Sequence, residues 1–367
     1  MRIGIPGLAH FDPQRGIGRY VTTLVNHWQQ WGLAIVPLSF RASALPLLRN
    51  VNWGIAGPLL EVDLLFIPHF VGAESLLFVP RDVPVVTIVP DIGGIDCPQD
   101  RAEATLLTGP LYRLALRAAC RSTHVITISD FTRERLLHHF SCFSGKSSTI
   151  HLGVDCEFFH PRDRLPSRAL LRERDISISD QDFILLYVGA EYRRKNVPAL
   201  AGVLAAVREQ IPQARLVKVG AAHGSDQRHA LLARMAELGL LPGQDAVFVE
   251  DVGDDLLPHF YCAADVFVTT SKYEGFGFPL LEAMACGLPC VVSNAGALPE
   301  VGGAGALYVD PDDAPGFARR IAEVALGQHD GLAERALARA AAFDWERAAR
   351  ETLRVFEAAA GKVTVDG

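Results

Sequence analysis

No apolar run in the sequence approaches the ~20 residues that a membrane-spanning helix requires. The longest runs, such as Phe183–Val188 and Val266–Thr270, are the size of strands. The opening MRIGIPGLAHF carries one arginine and breaks at once into a Gly/Pro turn, so no secretory leader is expected and a cytoplasmic address is. The seven cysteines include no CxxC pair and no histidine partner at metal spacing, so zinc ribbons and disulfide scaffolds are excluded and buried thiols in a reducing compartment are expected. Positive charge is also short: 35 Lys and Arg against 42 Asp and Glu give a net charge of −7. A general nucleic-acid binder is thereby excluded, although a local basic patch could still hold a phosphate. No internal repeat or low-complexity tract occurs.

Core-forming residues, in contrast, are plentiful. A chain of 367 residues, 49% hydrophobic and 21% charged, is longer than one core usually grows, so two domains of about 170–180 residues are expected. Strand-like runs alternate with helical periods, the pattern of βαβ units on parallel sheets. In the first half they are Arg2–Ile5, Ala34–Leu38, Asp63–Ile67, Val85–Val89 and Val125–Ser129. In the second they are Phe183–Val188, Leu216–Gly220, Val247–Glu250, Val266–Thr270, Pro289–Ser293 and Ala306–Val309. The polar VDCEFFHPRDRLPSRALLRERDISISD between them reads as a linker with the boundary near 158–175. The expected division is 1–165 and 166–340, with 341–367 a helix packing back toward the N-terminal domain, its face formed by Trp345, Ala348, Ala349, Leu353 and Phe356. Open parallel sheets bind ligands beyond the carboxyl ends of their strands, so chemistry is sought in the loops there, at a crevice between the domains.

The run SKYEGFGFPLLEAMACGLPCVVS carries Glu274 and Glu282 into apolar, glycine-rich surroundings. Pro279 suits the first turn of a helix over Leu280–Cys286, where a missing N–H costs nothing. Glu274 then lies in the loop, and Glu282 is expected in the helix's first turn beside its unpaired amides. Those amides form an anion site, and Gly275 and Gly277 let a phosphate approach the backbone. The carboxylates can accept from paired hydroxyls of a sugar or ribose. A dipole partner for Glu282 and an ordinary loop carboxylate for Glu274 are the plainer alternatives.

A second cluster, VGAEYRRKN, follows the strand Phe183–Val188 and sets Arg193, Arg194 and Lys195 before a helix that Asn196 would cap. Fixed cations there would stabilise charge developing on a departing phosphate; a solvated charge run is the alternative. Gly16 and Gly18 open a helix whose Ile17, Tyr20, Val21, Leu24, Val25 and Trp28 share a face. The glycine pair lacks a full GxGxxG and an acidic ribose partner, which argues against a dinucleotide-dependent oxidoreductase.

The order EGFGFPLLEAMACGLP, Glu274 to Pro289, resembles the signature of retaining nucleotide-sugar-dependent glycosyltransferases of family 4, glycosyl transferases group 1. GIGRYVTTL, ITISDFTRERL, HLGVDCEFFHP, YVGAEYRRKN, LPHFYCAADVFVTTS and LPEVGGAGALYVDPDD resemble further blocks of that family, in its order, so the likeness covers nearly the whole chain. The resemblance implies an α/β fold of the GT-B type, two Rossmann-like doubly wound domains facing a central cleft. It implies that Glu274 binds hydroxyls of the donor sugar and Glu282 those of the ribose. The segment Gly275, Phe276, Gly277, Phe278, Pro279 and Leu280 would lie against the diphosphate, with Gly16 and Gly18 approaching it from the other domain. It assigns Lys195 to the leaving phosphate. The family's arginine after its VG is here Ala190, which leaves Arg194, then Arg193, as the guanidinium. Val252 would contact the base. Where many members carry a histidine against the transferred sugar this chain has Pro90, followed by the retained Asp91; either Asp91 or His69 takes that place or the role is not needed, and His69 is read equally as an acceptor-site residue or as a loop residue without a chemical task. Ser129 and Arg133 fall in a family block; Ser129 is a candidate for the acceptor site or equally an N-cap.

The function implied is transfer of a hexose, mannose or similar, from a GDP- or UDP-linked donor to a hydroxyl of a glycan or lipid-linked glycan, with retention and no cofactor. No DxD pair lies in 188–196 or 271–289, so no metal is expected there. A nucleotide-sugar-binding protein without transferase activity and a GT-B nucleotide-sugar epimerase are the alternatives. The basic stripe Tyr112–Arg121 is read as a solvated face or as a peripheral contact with anionic lipid. Base, sugar, acceptor and oligomeric state are not legible.

Overall fold

The strands expected from the sequence are present in the computed structural model, which describes all residues except 9–10, 12–15, 43–51, 58–60, 98–107, 223–224, 251 and 362–367. The chain divides into one unit of Met1–Gly153 with Asp344–Gly367 and a second of Val154–Phe343. The division falls at 153/154 and 343/344 rather than at 165/166 and 340/341. Residues 362–367 of the expected terminal segment lie outside the described residues.

In the first unit β1 (Arg2–Pro6), β2 (Ala34–Ala42), β3 (Asn52–Ala56), β4 (Leu64–Ile67), β5 (Val85–Val89), β6 (His124–Thr127) and β7 (Ser147–Thr149) form one sheet. Its order is β3-β2-β1-β4-β5-β6-β7. Only β3 runs antiparallel to its neighbour. β4 and β5 are buried along their whole length, as continuous apolar runs in a parallel sheet should be. The helix Gly16–Gln30 buries Gly18, Tyr20, Val21, Leu24, Val25 and Trp28. Ile17, expected on that face, is 39% exposed. The helix Trp345–Ala359 completes the unit: Trp28 Nε1 donates to Ala349 O at 3.1 Å, and the rings of Trp28, Phe66 and Phe356 lie 5.0–5.5 Å apart. Each such fully buried aromatic is worth roughly 2–3 kcal/mol. Thr352 rather than Leu353 joins the buried face, its hydroxyl returned to Ala348 O at 2.8 Å.

The second unit holds β8 (Phe183–Val188), β9 (Ala214–Val219), β10 (Ala246–Val249), β11 (Val266–Thr269), β12 (Cys290–Ser293) and β13 (Leu307–Val309). Its order is β10-β9-β8-β11-β12-β13, all parallel, with the switch of direction between β8 and β11. Loops that follow those two strands are therefore neighbours, the placement at which doubly wound sheets take their ligands.

Two expectations are corrected. The supposed linker is structural: Arg164–Glu173 is a helix of the second unit, and Arg168, 1% exposed, donates to Ala263 O, Ser179 O, Asp180 O and the Asp265 carboxylate. Upstream, Phe159 packs edge-on against Tyr261, and the Cys262 thiol meets His160 O, which places 154–163 in that unit as well. Nor are all cysteines thiols: Cys120 and Cys142 are joined, because the end of the helix Thr108–Ala119 and the turn Ser141–Phe143 bring their Cα atoms to 5.8 Å. Cys97, Cys262, Cys286 and Cys290 remain buried thiols and Cys156 is exposed. The cysteine count thus no longer argues for a reducing compartment.

Candidate functional site

The loops after β8 and β11 are stitched together by their backbones, Lys272 N–H donating to Arg194 O at 2.7 Å. Across this seam Lys195 Nζ pairs with Glu274 Oε1; the two side chains are only 15% and 12% exposed. The same Glu274 oxygen accepts from Ser271 Oγ at 2.9 Å, and Ser271 Oγ lies 3.0 Å from Thr269 Oγ1. Glu274 is fixed through its backbone too, since Ala297 N–H donates to its carbonyl at 2.9 Å. Gly296 allows that approach: its φ is +63°, and a Cβ there would meet Glu274 N at 2.5 Å. Ser271 and Gly296 were assigned nothing from sequence. Their signal was weak, one hydroxyl in a loop and one glycine among many.

The cations expected as a trio have separate partners. Arg193 donates from Nε and Nη2 to one oxygen of Asp226, Oδ2, at 2.9 and 2.6 Å, near the surface. Arg194 lays its guanidinium over the Tyr192 ring, 4.7 Å from the centroid. Lys195 faces Glu274 directly. Asn196 does not cap the next helix: it stands in the left-handed region, φ 52°, and the helix Ala199–Arg208 begins after Pro198. Its amide instead donates to Pro311 O at 3.1 Å.

Beneath these loops lies an ionic cluster that no motif announced. Glu191 is fully buried and accepts from Lys218 at 2.7 Å and from Arg228 Nε at 3.0 Å, and Arg228 reaches Glu250 at 3.0 Å. Burial lowers the Lys218 ammonium below its ordinary range, against the opposing pull of Glu191. Glu191 follows Ala190, the position where the resemblance led one to expect an arginine.

Glu282 is placed differently from the expectation. Gly277, at φ 104°, precedes a helix of Phe278–Ala285 with Pro279 in its first turn, so Glu282 falls in the second turn, past the unpaired amides. The helix begins two residues early because Gly277 adopts the left-handed conformation that ends the loop. Glu282 is 6% exposed, and Tyr261 Oη donates to its Oε2 at 2.7 Å. Burial, then Glu282, holds the Tyr261 phenol well above its ordinary range. Gly275 to Leu280 span the loop and helix start, as expected. Val252 follows β10 and is partly exposed.

The first unit's candidates are tied to their own turns. His69, after β4, accepts the Val71 amide on Nδ1 at 3.0 Å, which puts its proton on Nε2, and stacks on Phe70. Burial lowers its pKa to about 4, Asp91 pulling the other way, so the ring is neutral at pH 7. Asp91 accepts the Gly93 amide at 2.8 Å. Ser129 is fully buried and caps the helix Asp130–His139, accepting from Thr132 N–H at 3.1 Å. Arg133 donates to Ser147 O. Gly16 and Gly18 form the first turn of the helix Gly16–Gln30. Arg113, Arg117 and Arg121 are exposed, and Arg121 donates to Val79 O at 3.1 Å. Among the described residues no helix is long and apolar enough to cross a membrane.

Residues 182–326 match the family model for glycosyl transferases group 1. The O-antigen chain mannosyltransferase B of Escherichia coli is 32% identical over 241 residues, 64% of this chain and 60% of that protein. The MMP alpha-(1->4)-mannosyltransferase of Mycolicibacterium hassiacum is 29% identical over 255 residues, 67% of this chain and 57% of that protein. The chain thus spans less than two thirds of the length of these relatives. Sucrose-phosphate synthase from Thermosynechococcus elongatus has the same fold, with a TM-score of 0.78 at 22% identity over 98% of each chain. So has HepE of Anabaena, solved with UDP-glucose, at 0.73 and 20% identity over 98% of this chain and all of that one.

Proposed function

We propose, for a chain whose residues 182–326 match the family model for glycosyl transferases group 1 and whose fold is GT-B, that it transfers a hexose from a nucleotide-sugar donor to a hydroxyl acceptor with retention of configuration. The observation that carries this reading is the Lys195–Glu274 pair at the ends of the adjacent strands β8 and β11, with Glu282 on the helix that leaves the same loop. Two similar proteins are named mannosyltransferases and a neighbour of the same fold was solved with UDP-glucose, which supports a GDP- or UDP-linked donor.

In the proposed reaction the bond from the anomeric carbon to the β-phosphate oxygen breaks and one to the acceptor oxygen forms on the same face. The acceptor's proton passes to the departing phosphate. Lys195, with three N–H donors, can meet a phosphate oxygen while Glu274 keeps one donor. It thereby stabilises charge that grows as the bond breaks, a preference for the transition state over the ground state. Arg194 adds a second cation in the same loop. Glu274 and Glu282 position the sugar and ribose through hydroxyl hydrogen bonds, an entropic contribution. The two carboxylates are not read as a hydrolase's acid and nucleophile, because one is neutralised by lysine and the other is held by a phenol. The reading is metal-independent, the cations offsetting the diphosphate.

The test is a thermal-shift screen of GDP-, UDP-, ADP- and dTDP-sugars followed by product formation with the matching radiolabelled donor. One donor class is expected to raise Tm by mass action and to label an added glycan acceptor, with or without chelator. Stabilisation without transfer would overturn the enzyme reading in favour of a binding protein, and loss of transfer in chelator would overturn metal independence.

A further inference from the structure

Glu282 poses a problem that its own helix does not solve. It sits in the second turn of Phe278–Ala285, beyond the helix's unpaired amides, and is 6% exposed. A carboxylate so withdrawn from water needs a donor to hold it in a defined plane. One such donor comes from another element: Tyr261, in the helix Leu257–Ala263, is fully buried and gives its hydroxyl to Glu282 Oε2 at 2.7 Å. The ring has little freedom to leave. Phe159 stands edge-on to it at 5.9 Å, and Phe267 of β11 lies tilted at 6.2 Å.

We infer that Tyr261 is a positioning residue for nucleotide binding, fixing Glu282 so that the carboxylate meets the ribose hydroxyls edge-on. The inference rests on the ribose role proposed for Glu282 and deepens it. A carboxylate offers about four lone-pair sites, enough for the phenol and for two vicinal hydroxyls. Without the phenol the carboxylate loses a hydrogen bond that helps set its plane about a last torsion that is broad for Glu, and its acceptor edge can turn from the diol. The phenol remains protonated across the working range, because burial and then Glu282 itself oppose its ionisation. Tyr261 touches no part of the sugar or phosphate in this reading, so its loss weakens ground-state and transition-state binding alike.

The experiment measures affinity by titration calorimetry for GDP and UDP and for their 2′-deoxy counterparts, in the wild type, Tyr261→Phe and Glu282→Gln. The readout is the ratio of ribo to 2′-deoxy affinity for the nucleotide that binds. Both are titrated into the same preparation, so any unfolded fraction cancels. The wild type is expected to prefer the ribonucleotide by tenfold or more; Tyr261→Phe is expected to bring that preference down at least fivefold and to raise KM with kcat within twofold. Removing one hydroxyl while keeping the ring leaves the packing with Phe159 and Phe267 in place. If Glu282→Gln loses the preference while Tyr261→Phe retains the wild-type ratio, Tyr261 does not position the carboxylate and the inference is overturned. If the wild type shows no preference, if Glu282→Gln keeps it, or if neither nucleotide binds, the ribose role falls and the inference falls with it.

Discussion

The polar groups beyond the strand ends of the two units are held by different means. In Val154–Phe343 they neutralise one another: Lys195 with Glu274, Arg193 with Asp226, Glu191 with Lys218 and Arg228. In Met1–Gly153 they bond to the backbone of their own turns, His69 to Val71, Asp91 to Gly93 and Ser129 to Thr132. A partly exposed pair such as Lys195 and Glu274 can exchange a partner for a charged ligand, as the fully buried Glu191 and Lys218 cannot without large cost, whereas a side chain that closes a turn gives up the turn if it leaves. The contrast separates a set of groups suited to a phosphate from a set that shapes loops.

The comparison breaks most visibly at Lys195. Lys195→Ala is expected to lower turnover about 10²–10³-fold, the size seen when one preorganised donor to a developing oxyanion is removed. A rate within a few-fold of wild type in steady-state assays would remove lysine from the proposed step.

A smaller effect sharpens the description of the first unit. His69 titrates near 4 when folded and near 6.5 when unfolded, so between those values the unfolded chain binds more protons. Its contribution to stability is therefore present above pH 6.5 and is lost as pH falls toward 4. Uptake of one proton on unfolding sets a ceiling of about 1.4 kcal/mol per pH unit on the slope, and the partial exposure of His69 keeps the total loss below what its full shift would give. Urea unfolding at pH 7, 6 and 5 should show the loss, and His69→Gln should abolish that component.

The smallest effect concerns Arg193. Its contact with Asp226 is near the surface, with side chains 43% and 37% exposed. Arg193→Ala is expected to change stability by less than about 1 kcal/mol and turnover by no more than about threefold. A loss as large as that of Lys195→Ala, measured in the same assay, would mean that Arg193 and not Arg194 supplies the second cation.

Much of this was legible in the sequence, and the gaps have identifiable causes. Phe183–Val188 and Val85–Val89 match their strands at both ends, because buried parallel strands are unbroken apolar runs. Asn52–Ala56 and Ser147–Thr149 gave no such run: the first is a short antiparallel edge strand with large apolar side chains only at alternate positions around Gly54, and the second is three hydroxyl side chains. Arg164–Glu173 was hidden by its charge, since the burial of Arg168 depends on carbonyls from Ala263, Ser179 and Asp180 that lie elsewhere in the chain. The Glu274–Pro289 run located the second unit's candidate site, yet Tyr261, 21 positions from Glu282, carries no local sign of its contact. Pairings of that kind arise from how helices pack and not from spacing along one of them.

The indole of Trp28 and the carbonyl of Ala349 meet across a separation of 321 residues. During synthesis Val154–Phe343 emerges from the ribosome as one uninterrupted stretch, with all the residues of its unit, before Trp345–Ala359 has been made. The earlier unit must meanwhile persist with Trp28 and Phe66 lacking their last aromatic neighbour. Order of translation and order of completion are thus opposite in this chain: the half begun first is the half that closes last.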